Sequence, residues 1–293
     1  MRARRRFWPA GKTRLLGFSG YKVGMRHVMV KDDRKNSLTK GETIAWPVTI
    51  LECPPLKVAG AVYYKSVLGG LQQVSTVLSS DLDKFARRVI NPKSVNSKPE
   101  IINLEQISDV RLLVHTQPSL IDLKKTPEFF ELGIGGSVQE KDSFAKEKLG
   151  KVLDVSEFLS KGSIVDIHGV TKGKGLQGPM RRFGGRLRHH KSEKSRRTPG
   201  SLGPWNSDRQ WTVAKAGQHG FHLRTEFNKI VLDVKTPESM ALSSGYQGYG
   251  NPAATCLLVK GSIMGPAKRL ISLTHASRPG KNVSEGLVVS HVA

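Results

Sequence analysis

Apolar positions fall in short, separated runs along most of this chain. "GYKVGMRHVMV", "TIAWPVTILEC" and "AGAVYYKSVL" are rich in β-branched and aromatic residues and are broken by Gly and Pro. That pattern predicts strands of an antiparallel sheet or barrel. "IVLDV" and "ATCLLVKGSI" near the C-terminal end have the same character, and "SIVDIHGV" (163–170) reads as another buried strand. The material between differs. "SDLDKFARRVI" opens on a Ser/Asp cap and spaces its apolar residues helically. "IDLKKTPEFFELGIGG" and "SVQEKDSFAKEKLGKVLDVSEFL" read as helical in part, and "VRLLVHT" as a strand. The expectation is a mainly β fold with an α/β insertion. Residues 15–74 and 161–293 would form a discontinuous β-barrel domain, and residues 75–160 an inserted α/β subdomain.

One stretch follows neither period. "VTKGKGLQGPMRRFGGRLRHHKSEKSRRTPGSLGPW" runs from Val170 to Trp205. Its Gly173-Lys174-Gly175-Leu176-Gln177-Gly178 has the spacing of a dinucleotide-binding loop, and a strand candidate precedes it. That loop requires a helix directly after the glycines, so that its N-terminal amides face the pyrophosphate. Here Pro179 follows, and Gly184-Gly185 is expected to break any helix. The ribose-binding acid is also missing, since Glu193 is the single acidic residue between Val170 and Trp205. No cofactor is therefore expected.

Charge decides what this stretch is for. The chain of 293 residues carries 47 Lys and Arg against 24 Asp and Glu, a net charge of +23. The excess sits at both ends: residues 1–80 have a net charge of +10, residues 81–166 of −1, and residues 167–293 of +14. Such an excess repels itself unless an anionic partner is present. In the quoted stretch Lys172, Lys174, Arg181, Arg182, Arg186, Arg188, Lys191, Lys194, Arg196 and Arg197 meet one acid, with His189 and His190 among them. Amid phosphates these side chains gain counterion release and charge-assisted hydrogen bonds. Phe183, Trp205 and Trp211 are candidates to stack on unpaired bases. At the N-terminal end Arg2, Arg4, Arg5, Arg6, Lys12 and Arg14 surround Phe7, Trp8 and Pro9. Residues 1–14 thus read as a basic arm that orders on an anionic partner. No zinc-finger, zipper or helix-turn-helix pattern points to DNA, and a long irregular basic extension suits a folded RNA.

Other chemistry is poorly represented. Cys53 and Cys256 lie in apolar settings and read as buried free thiols of a reducing compartment. No Cys/His set has metal-ligand spacing. The N-terminal end has a basic start with no unbroken apolar stretch after it, unlike a signal peptide, and no run reaches the length of a membrane span. A soluble cytosolic chain is expected. An RNA-modifying or RNA-processing enzyme is the rival to a binding protein. Its candidate bases, His168, His189, His190, His219 and His222, have few carboxylates near them in sequence, and the Asp166/His168 pair reads as structural.

"HGVTKGKGLQGPMRRFGG", "RRTPGSLGPW", "AGQHGFHLRTEFNK" and "LLVKGSIMGPAKR", with "FSGYKVGM" near the start, occur in this order over most of the chain. Together they resemble the universal large-subunit ribosomal protein L three family, in its archaeal and eukaryotic form. The resemblance implies a β-barrel of the kind shared with translation factors, seated on the large subunit, and an irregular loop running towards the peptidyl-transferase centre. That loop would span about Thr171 to Arg224, with Trp205 at its inner tip. Arg209, Trp211, Lys215, Gln218, His222 and Arg224 are further candidate RNA-binding residues of this loop, as Trp205 is. The partners implied are large-subunit rRNA and neighbouring ribosomal proteins, with a role in early subunit assembly. No catalytic residue, cofactor, metal, membrane or small-molecule substrate is implied.

Overall fold

The strand-forming runs near the two ends of the chain pair with one another. In the computed structural model, which describes residues 8, 11–34, 37–90, 104–204, 213–279 and 287–292, β1 (Gly17–Asp32) and β2 (Thr43–Glu52) form a long antiparallel hairpin. β3 (Leu56–Val67) and β4 (Gly70–Leu78) form a second hairpin. After it come β5 (Asp109–Thr116), β6 (Phe129–Gly133), helix α1 (Val138–Lys148), the two-residue β7 (Val152–Leu153), the short helix α2 (Val155–Phe158) and β8 (Ile164–Val170). The basic stretch holds β9 (Leu176–Gln177), helix α3 (Pro179–Phe183) and β10 (Gly217–Gln218). β11 (Leu223–Lys235), β12 (Cys256–Lys260), β13 (Leu270–His275) and β14 (Leu287–Val292) complete the chain order.

The fold is mainly β. β13, β8, β11, β12, β2 and β1 pair in that order, and β13 pairs again with β1, so this ladder closes on itself. β14 joins it on the outer half of β1. Successive side chains of a strand point to opposite faces, and here both faces are buried. Val231, Leu257 and Val259 enter one apolar cluster with Phe18, Ile167 and Leu273, whereas Ile230, Leu232, Cys256 and Leu258 enter another with Val48 and Ile50. Burial on both sides is why these runs read as continuous apolar stretches without alternation.

The second sheet has the order β4-β3-β5-β6, with β7 also on β3. Its Val58, Val110, Leu112 and Leu153 belong to the same cluster as Phe18 and Ile167, so the core runs from one sheet into the other. β3 and β4, expected among the barrel strands, pair in this second sheet. The change of partner therefore falls near Cys53–Pro55 and not at residue 75. The reason is tertiary: β3 is buried from Leu56 to Tyr64, and the strands that cover it arrive from residues 109–153.

Helix expectations met mixed outcomes. "SVQEKDSFAKEKLGKVLDVSEFL" yields α1 and α2, and α1 opens on a capping box between Ser137 and Glu140. "SDLDKFARRVI" forms only the 3₁₀ turn Ala86–Arg88, although Ala86 and Leu82 are buried as its spacing requires. "IDLKKTPEFFELGIGG" ends a 3₁₀ turn at Ile121 and then becomes strand β6, because Phe129–Gly133 finds a ladder partner in β5. The basic stretch, expected to hold no helix, contains α3. Pro179 sits at its first turn, where the missing N–H would be unpaired anyway, and Gly184 closes it in the left-handed region at φ 70°.

Candidate nucleic-acid interface

β8 and β11 are antiparallel neighbours, with Leu223 opposite Val170. The basic stretch is the long connection between them, so its root is clamped by two strands of the closed ladder. Thr171 N donates to His222 O at 3.0 Å, and His222 N donates to Thr171 Oγ1 at 3.1 Å. Further out, Phe221 N donates to Lys172 O, Lys174 N to His219 O and His219 N to Gly175 O. β9 then pairs with β10. Gly220 allows this close approach: its φ is +73°, and a Cβ there would lie 1.9 Å from Lys172 O. Beyond α3, Arg182 Nη1 donates to Lys215 O at 3.0 Å, and Arg188 and Arg196 close a self-contained turn through backbone and side chain.

Apart from Arg182 and Arg196, which donate to backbone carbonyls, the cations on this frame project into solvent. Lys172, Lys174, Arg181, Arg186, Arg188, Lys191, Lys194, Arg196 and Arg197 are all exposed. Among the described residues none of them lies within ion-pair distance of a carboxylate, and Glu193 neutralises none of them. The insertion is the opposite case. There Lys57 meets Asp81 and Asp83, Arg111 meets Asp109 and Glu131, and Lys141, Lys146 and Lys148 each have a carboxylate within 2.8 Å. Acids and bases pair off in one region. In the other region the exposed cations have no carboxylate beside them among the described residues.

The positive field at the root acts on its own titratable groups. Partial burial and the neighbouring Lys174, Arg182, His222 and Arg181 push the His219 imidazole below its usual pKa. Lys22 on β1 is depressed by burial and then by Lys172, and its Nζ caps the carbonyls of Ile263 and Gly265. Arg269 lies 5.6 Å above the Phe221 ring. Lys22, Lys268 and Arg269 thus join the basic root, with Lys22 N donating to Arg269 O and Lys268 N to Lys22 O. Sequence alone does not single them out, because Lys22 lies on β1 and the Lys268–Arg269 pair in the turn before β13, both remote from the extension in sequence. His189 and His190 lie with their ring centres 4.1 Å apart, tilted by 40°.

The other candidates divide. Lys215, Gln218 and Arg224 are exposed and His222 is half-buried. The Gln218 amide also donates to Gly220 O at 3.1 Å, holding the turn. Trp8 is half-buried against the main core, its ring over Gly17 and Gly133. Lys12 and Arg14 are exposed, but their backbone is already docked: Gly135 N donates to Arg14 O, and Thr13 Oγ1 donates to Glu140. Residues 11–14 are therefore not a loose arm, because the turn before α1 supplies their partners. Arg2, Arg4, Arg5, Arg6, Trp205, Arg209 and Trp211 lie outside the described residues. Phe183 is 53% exposed under the Arg182 guanidinium.

Of the rival catalytic residues, His168 and Asp166 are occupied. His168 has Thr225 Oγ1 at 2.9 Å on Nδ1 and Thr274 Oγ1 at 3.2 Å on Nε2. Asp166 is buried and accepts from Asn228 N, Ser277 N and Ser277 Oγ. Among the described residues no three His, Cys, Asp or Glu converge as metal ligands. Both thiols are free and buried, and burial raises both, Cys256 to about 12. No helix among the described residues is long and apolar enough to cross a membrane.

The chain is similar to known proteins along nearly its whole length. A family model described as "Ribosomal protein L3" matches residues 1–288. Relatives named "Large ribosomal subunit protein uL3" are similar over nearly the whole chain. The one from Archaeoglobus fulgidus is 43% identical over 98% of this chain and 90% of its own length. The one from Picrophilus torridus is 41% identical over the same shares, and the one from Methanothermobacter thermautotrophicus 40% over 98% and 89%.

Proposed function

This chain belongs to the ribosomal protein L3 family, and from that premise we propose how its parts serve the large ribosomal subunit. It is a structural constituent of that subunit, in the cytoplasm, and not an enzyme. The observation that carries the reading is the run of exposed, unpaired cations on a connection clamped at its root by β8 and β11. Phosphate groups of large-subunit rRNA are the matching partner, since they take up Lys and Arg and release counterions. Arg outnumbers Lys between Lys172 and Arg197, which suits bidentate phosphate contact.

The closed ladder of six strands supports a translation-factor-like barrel seated on the subunit surface, with the second sheet and α1 as the inserted subdomain. The extension from Thr171 to Arg224 reaches inward towards the peptidyl-transferase region. An extension that is self-repelling when free and ordered by rRNA explains an early role in assembly, because protein and RNA then fold together.

Sucrose-gradient sedimentation of native lysate tests this, with the protein followed by mass spectrometry through a high-salt wash. The chain is expected to remain with large subunits. Recovery at the top of the gradient, or release at moderate salt, would overturn the structural role.

A further inference from the structure

The β3–β4 hairpin is out of character with the rest of the molecule. From Ser66 through Ser80 there is no charged residue and no proline, in a chain of net charge +23. Four of its apolar side chains are exposed: Val67 by 41%, Leu68 fully, Leu71 by 46% and Val74 by 55%. Soluble chains blunt a sheet edge with lysine, proline or a covering element. β4 is an edge strand, and among the described residues it pairs with β3 alone. The one blunting device is a register shift between Tyr63 and Tyr64, which leaves Val74 without a residue opposite.

We propose that β4 is a docking edge for an extended segment of a neighbouring ribosomal protein, which adds to the second sheet as a further strand against Leu71 and Val74. The inference rests on the reading that the chain sits in the large subunit. Two features select the occupant. A bare ladder edge offers N–H and C=O groups at a strand's spacing, which another extended backbone satisfies. Fifteen residues without a cation offer nothing to a phosphate backbone, so RNA is excluded as the occupant of this edge. The chain thus separates its partners by surface chemistry, with RNA on the basic extension and protein on the uncharged hairpin.

The test is photo-cross-linking in purified native large subunits, with benzoylphenylalanine placed at position 71 in one strain and 73 in another. The adducts are expected to map to residues about two apart in one extended segment of one resident large-subunit protein. Adducts to nucleotides, to a second copy of this chain or to another part of the same chain would overturn the proposal, as would no adduct. A Leu71→Lys/Val74→Lys variant gives a second readout. The free variant should melt as the parent does, since both positions are about half exposed. Its subunits should retain the cross-linked partner at least about tenfold less after a salt wash; equal retention would overturn the docking. If the parent chain itself fails to sediment with large subunits, the reading of the previous section falls as well. If it sediments there and the adducts go elsewhere, only this inference falls.

Discussion

Replacing Lys172, Lys174, Arg181, Arg186, Arg188, Lys191, Lys194 and Arg197 together with glutamine should change RNA binding in a quantitative way. None of the eight side chains makes an ion pair among the described residues, and all are exposed. The free fold should lose nothing, and its melting temperature should stay the same or rise slightly as self-repulsion falls. Each phosphate contact contributes roughly 0.7 to 0.9 to the slope of log affinity against log salt, so eight contacts carry about 6 to 7 units. Between 50 and 200 mM salt that slope amounts to about three to four powers of ten in affinity. The assay is anisotropy or filter binding to a large-subunit rRNA transcript across a salt series. A control variant neutralises Lys124, Lys141, Lys146 and Lys148, whose carboxylate partners already lie within 2.8 Å. That control should leave the slope nearly unchanged. A slope shift below about one unit in the eightfold variant, or an equal shift in the control, would refute the assignment of phosphate contacts to the extension.

Three further predictions concern the frame. Glu52→Ala removes a buried carboxylate that accepts from Tyr249 Oη and from Ala253 N and Ala254 N at 2.6 and 2.7 Å. Stranding these donors should cost about 3–5 kcal/mol in denaturant unfolding, and a loss under about 1 kcal/mol would show the site refills with water. Gly133→Leu puts a Cβ where only 2.5 Å separates it from Trp8 Cδ2. The indole should be displaced, with a red-shifted tryptophan emission and destabilisation of about 1–3 kcal/mol; unchanged emission would place the ring elsewhere. His115 is buried between the Phe129 ring, at 5.2 Å, and Asp83, at 3.7 Å from its Nε2, with Lys57 alongside. Burial holds its pKa below the usual 6.5, so below pH 6.5 the unfolded chain binds the proton more tightly. Stability should therefore fall as pH drops from about 6.5 towards the folded pKa. His115→Leu should flatten that limb of a melting-temperature profile, and an unaltered limb would assign it to other groups.

The basic extension was legible because its message is local and additive: ten cations and one acid in a short stretch need no fold to interpret. The strand runs were legible for a related reason, since β-branched and aromatic clusters between glycines and prolines describe their own backbone. Helix in "SDLDKFARRVI" was misread because a correct apolar spacing buries Ala86 and Leu82 in a single 3₁₀ turn as well as in a helix. "PEFFELG" was misread because its strand exists through β5, which is remote in sequence. Trp8 was read as part of a free arm because nothing around it in sequence names Gly17, Leu132 and Gly133 as its neighbours. Lys22, Lys268 and Arg269 were invisible as part of the site because Lys22 comes to the root of the extension on β1 and the Lys268–Arg269 pair in the turn before β13, both remote from it in sequence.

From the sequence alone follow the β character, the uneven charge and the expectation of an anionic partner, and the family through the resemblance of its ordered motifs. Each depends on residue types and on neighbours within a few positions. Tertiary structure decided which strands pair, that β3 and β4 leave the closed ladder for the second sheet, and that the insertion's charges cancel while the extension's do not. Those outcomes depend on contacts between residues far apart in sequence. The same lysine is a paired surface charge at position 141 and a bare phosphate ligand candidate at position 174, and only the position of the nearest carboxylate in space separates the two.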